Sequence, residues 1–125
     1  MVKINDILEE YKIELFTFPE TMWERSGFYF PDIRTIYVNQ NLSDLEKEKV
    51  ILHEIGHINH DPKHYARLLT KYENEADRFM VRELIKKYLT THDVIDFNWL
   101  QFAETYKIST TWGQQMILEE FKNLI

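Results

Sequence analysis

The stretch SDLEKEKVILHEIGHINHDP, residues 43–62, decides the fold. Ser43 followed three residues later by Glu46 has the form of a capping box, and Leu45, Ile51, Leu52, Ile55 and Ile58 recur behind it at helical spacings. A helix from Ser43 to about His60 is predicted. Asp61-Pro62 stops it, because proline offers no N–H to the ladder and restricts the residue before it. Within this helix His53-Glu54-Ile55-Gly56-His57 is an HExxH string. Four residues advance about 40° around a helix axis and about 6 Å along it, so both imidazoles point one way and can close on one metal ion. Zinc is the expected ion. Glu54 lies about 100° from His53, too far round for an easy ligand but within reach of a water at the metal, so general base is its expected role. Gly56 in a helix costs up to about 1 kcal/mol relative to alanine, which predicts close backbone packing there, against the strands.

A catalytic zinc needs a third protein ligand and an open position. A further helix is predicted from Lys63 to Tyr88, and its segment Glu73-Asn74-Glu75-Ala76-Asp77 supplies two candidates. Glu73 shares a stripe with Leu69, Ala76, Asp77, Met80 and Leu84, whereas Glu75 is flanked by Lys71, Arg78 and Arg82. A carboxylate on an apolar stripe needs a partner or a cation, so Glu73 is the expected ligand, with Glu75 as the alternative. Asp77, one turn on, could accept the free ring N–H of a ligating histidine. His60 reads as a solvated histidine at a helix end. His64, Tyr65 and Tyr72 are candidate donors to an oxyanion, each also readable as structural.

Outward from this core, Ile4, Ile7, Leu8, Tyr11 and Leu15 predict an amphipathic helix from Val2 to Leu15. Phe28-Tyr29-Phe30 and Ile33 to Val38 flank Pro31-Asp32 and predict two short antiparallel strands. After a break at Thr90-Thr91, two helices follow, Asp93 to about Tyr106 and Thr110 to about Leu124. The expectation is an α+β fold: a helix-dominated single domain with a small antiparallel sheet packed on the HExxH helix. Residues 1–89 would form the catalytic core and 90–125 a small C-terminal helical segment. At 125 residues one domain is expected and a second full domain is not. The net charge of -6 disfavours a broad phosphate-binding face. The absence of cysteine excludes disulfides, thiolate zinc ligands and a thiol nucleophile, and fits a reducing compartment. No apolar run approaches the roughly 20 residues of a membrane span, and acidic residues interrupt the N-terminus where a signal peptide would be apolar. A cytoplasmic setting is expected.

Three segments together resemble the ImmA/IrrE family of zinc metallopeptidases. They are the strand pair ending Ile36-Tyr37-Val38-Asn39, the HEIGH helix opened by Leu42-Ser43, and Glu73-Asn74-Glu75-Ala76-Asp77-Arg78-Phe79. The likeness spans Gly27 to Leu84. It departs from the family in a short gap between His57 and Glu73 and in Met80, where a small residue is usual. The resemblance implies a zinc endopeptidase of phage or mobile-element regulation whose substrate is a helix-turn-helix transcriptional repressor. The C-terminal segment, with Phe102-Ala103-Glu104, Tyr106, Ile108-Ser109 and Trp112, looks like a small helical unit of relatives. Lys107 and Lys122 are too sparse there to grip phosphate, so packing or partner docking is expected instead of DNA binding. A reading from another class is a regulatory protein that keeps the zinc fold but controls a repressor by docking alone. The oligomeric state is left open.

Overall fold

The first helix, α1 (Ile4–Glu10), ends because Lys12 takes a left-handed conformation at φ 56°. Ile13 N–H then donates to Leu8 O at 2.9 Å and Lys12 N–H to Glu9 O at 3.1 Å, the double closure of a Schellman motif. Buried Ile13 and Leu8 supply its apolar contact. The computed structural model describes residues 4–125, so the predicted start at Val2 lies outside the described residues. Leu15, read as helical from its spacing, instead sits in a strand, β1 (Glu14–Phe18).

The predicted pair is present as β2 (Gly27–Phe30) and β3 (Thr35–Asn39), joined through a 3-10 turn at Pro31–Ile33 and left-handed Arg34. Arg34 reaches back to the carbonyls of Tyr11 and Lys12, and its own carbonyl accepts from Glu14 N–H at 3.0 Å. That tie sets β1 beside β3. The sheet is therefore three-stranded and mixed, in the order β1-β3-β2, with β1 parallel and β2 antiparallel to β3. Ile36 and Val38 point into the core, and Phe16, Phe28, Phe30 and Tyr37 stack on the opposite face with Trp23.

Helix α2 (Asp44–Ile55) opens on Ser43, whose hydroxyl accepts from Glu46 N–H at 3.2 Å. It stops five residues before the predicted His60. From Gly56 onward the chain tightens: His57, Ile58 and His60 donate to carbonyls three residues back. Helix α3 (Leu69–Tyr88) begins later than the predicted Lys63, because Asp61 and Pro62 start a separate 3-10 turn at Pro62–His64. Its inner stripe is Tyr72, Ala76, Met80, Val81, Leu84, Ile85 and Tyr88, whereas Leu69, placed on that stripe by spacing, is 48 % exposed.

In the last third Asn98 caps α4 (Trp99–Thr105), so the helix starts after a 3-10 turn at Val94–Asp96 and not at Asp93. Left-handed Lys107 then closes a second Schellman turn, and Ser109 caps α5 (Thr110–Leu124) where the pattern predicted it. Helix α2 packs on β2, β3 and α3, and α3 packs on α5. The α+β, helix-dominated reading holds, with one sheet strand more than the periodicity disclosed. Among the described residues no helix is long and apolar enough to cross a membrane.

Candidate metal centre

Two helices approach unusually closely at the site. A Cβ built on Gly56 would lie 2.7 Å from Ala76 Cα and 3.0 Å from Ala76 O, so only hydrogen fits between the end of α2 and the middle of α3. The close packing expected of Gly56 is real, but its partner is α3 and not the strands. It places His53 and His57 opposite Glu73 and Asp77, which flank Ala76 one helical turn apart.

His53 Nε2 lies 2.9 Å from Glu73 Oε2, His57 Nε2 lies 3.2 Å from Glu73 Oε1, and the two Nε2 atoms are 3.2 Å apart. Among the described residues these three form the group of side chains able to hold a metal ion. Asp77 Oδ1 sits 2.9 Å from the other ring nitrogen of His53. An ionised carboxylate only accepts, so His53 Nδ1 carries a proton and its Nε2 faces inward. Two ring nitrogens and a carboxylate thus lie within 4.8 Å of one another, close enough to hold one cation. Imidazole and carboxylate ligands in this number suit zinc with an open position.

Protonation follows from the surroundings. Burial works against charge on His53, but the Asp77 hydrogen bond and the charges of Asp77, Glu54 and Glu73 outweigh it and hold its pKa above the usual value. Burial and the neighbouring His53 push His57 down to about 4, so His57 stays neutral and free to ligate. Glu73 is buried in part, yet the Tyr65 hydroxyl it accepts from and the two histidines keep its pKa low. Glu54 stands apart from the three. Burial, with the charge of Glu73, raises its pKa to about 7 against the opposing pull of His53 and Arg25. A carboxylate held near neutrality is suited to accept and return a proton.

These groups form one wall of a cleft of about 630 Å³. The facing wall is Trp23, Arg25, Phe28, Phe30 and Pro31, which sequence reasoning did not single out. Arg25 lies over the Phe28 ring, 5.7 Å from its centroid, and makes no ion pair among the described residues. Of the three candidate oxyanion donors only Tyr65 lines the cleft. Tyr72 is buried beneath His60, and His64 faces Asp61 at half exposure. Glu75, the alternative ligand, is absent from the cluster and lies 2.8 Å from His60. His60 is not the solvated helix end expected of it: its side chain is 7 % exposed. The turn after Gly56 folds it inward.

Comparison with curated proteins finds no match for this chain. A family model described as the IrrE N-terminal-like domain, of the M78 peptidases, matches residues 8–112, which include every residue of the cluster and its cleft. Sharing that match over most of its length, the chain belongs to the IrrE N-terminal-like domain family of M78 peptidases.

Proposed function

We propose that the chain is a zinc-dependent endopeptidase in which His53, His57 and Glu73 hold the ion and Glu54 is the general base. The observation that carries this reading is the convergence of two ring nitrogens and one carboxylate within 4.8 Å of one another, beside a carboxylate whose pKa is near 7. Zinc bound there would polarise the scissile carbonyl and lower the pKa of water to about 7. Glu54 takes a proton from the attacking water and delivers it to the departing amine. Tyr65 lines the same cleft, where its one O–H donates to Glu73 and steadies that carboxylate beside the two histidines.

A peptide substrate fits the surroundings. Among the described residues strand β2 pairs only with β3, so its second edge, bordering the cleft, can accept an extended segment by strand addition. Trp23, Phe28 and Phe30 offer apolar contact beside the cluster. The resemblance to ImmA/IrrE proteins supports a helix-turn-helix repressor of a phage or mobile element as the substrate, in the cytoplasm. The acidic balance of the chain favours encounter with such a basic partner.

The test pairs the zinc-loaded chain with the repressor encoded nearest its gene. Glu54→Gln should bind zinc as the parent does and cleave about 10² to 10⁴ times more slowly. Equal rates would overturn Glu54 as base. Release of the repressor from DNA without cleavage would replace the peptidase reading with the docking one.

A further inference from the structure

His57 turns its Nδ1 away from the cluster, toward Nδ1 of His60 at 3.0 Å. The second nitrogen of His60 lies 2.8 Å from Glu75 Oε2. The intermediate ring is firmly held: it lies flat on buried Tyr72, with centroids 3.9 Å apart and planes within 6°. A cation held at Nε2 of His57 would fix the direction of this chain. With that nitrogen committed to the ion, the ring proton of His57 sits on Nδ1 and donates to Nδ1 of His60, and His60 donates in turn from Nε2 to Glu75, which as a carboxylate only accepts.

We infer that Glu75 and His60 are positioning residues for the metal centre, a carboxylate–histidine–histidine relay that selects the ligating tautomer of His57 and fixes its ring. The inference rests on the metal-centre reading above. Asp77 orients His53 through one bond, and Glu75 orients His57 through an intervening ring. Both carboxylates lie on α3, so one helix supplies a ligand and the outer partner of each histidine. A purely packing role for His60 would leave the tautomer of His57 indifferent to Glu75.

Two readouts test the relay: zinc affinity by chelator competition, and the tautomer of His57 from ring-nitrogen NMR of the metal-free chain. His60→Phe keeps the stack on Tyr72 but removes both nitrogens, Glu75→Leu removes the final acceptor, and Glu75→Gln retains an acceptor oxygen. His60→Phe and Glu75→Leu should weaken zinc binding by about 10- to 100-fold and shift His57 away from the Nδ1–H form. Glu75→Gln should recover most of both. Glu75 is 45 % exposed on its side chain, so its two variants decide the matter even where His60→Phe does not fold. Parental zinc affinity and an unchanged His57 tautomer in Glu75→Leu would overturn the relay. A parent chain that binds no zinc would instead overturn the metal reading, with the metal-free tautomer still deciding the relay.

Discussion

Glu54 shows most plainly how one side chain is prepared by its surroundings. Its pKa rises from 4.5 to about 7, mainly through burial, so the folded protein holds its proton more tightly than the unfolded chain does. The stability from that preference is fully present below about pH 4.5 and is lost as pH rises through about 7. In chelator, Glu54→Gln should therefore gain stability relative to the parent as pH rises across that window. The depressed pKa of His57 has the opposite sense, its contribution being lost as pH falls from 6.5 toward about 4, and it is present in both proteins. The raised pKa of His53, which Glu54 helps to hold up, falls in the variant and changes the difference in the same direction as Glu54 itself. Thermal unfolding at several pH values checks this, and a pH-independent difference between the two proteins would contradict it. At this scale the HExxH string and the apolar stripe around Glu73 disclosed the cluster, since ligand spacing on a helix is a local property. The inward turn of His60 was hidden. It depends on how the chain leaves α2 at Gly56 and on the ring of Tyr72, which is remote from His60 in the sequence and adjacent to it only in space.

Among the elements, the contact between α2 and α3 controls the site. Alanine in place of a helical glycine ordinarily gains up to about 1 kcal/mol. At Gly56 the new methyl would meet backbone atoms of Ala76 at 2.7 and 3.0 Å, which no rotamer change can relieve. Overpacking of this kind typically costs about 1–3 kcal/mol, so the clash wins. Gly56→Ala should unfold at lower denaturant concentration than the parent and bind zinc more weakly, because separating the helices draws Glu73 from the histidines. A more stable variant with parental zinc affinity would show that the approach is not needed. The same scale explains which boundaries could be read. Ser43 and Ser109 announce α2 and α5 because a capping hydroxyl is a local chemical signal. The end of α1 was obscure because Lys12, and not glycine, holds the left-handed position, whereas the end of α4, closed likewise by left-handed Lys107, was read within one residue at Tyr106. With the first of these turns hidden, Leu15 kept its helical spacing on paper while the chain had already entered β1.

For the whole molecule, apolar patterning was enough to give an α+β domain dominated by helices, since the stripes of α3 and α5 and the β-branched run of β3 each bury a face. The cleft was not legible in the same way. Trp23, Arg25, Phe28 and Phe30 come from a loop and an edge strand with no helical period, and they meet the cluster only when β2 is laid against α2. Buried Glu120, held by Arg78 and Arg82, ties α5 to the same helix that carries Glu73 and Asp77, so the C-terminal segment braces the centre from behind. All of these features bear on one arrangement, the proposed cation site between the end of α2 and the middle of α3. Anomalous diffraction at the zinc edge from crystals of the zinc-loaded chain tests that arrangement most directly. One strong peak is expected within coordinating distance of His53 Nε2, His57 Nε2 and a Glu73 oxygen, and it should be lost in His57→Ala. A peak elsewhere, or one that persists unchanged without His57, would contradict it.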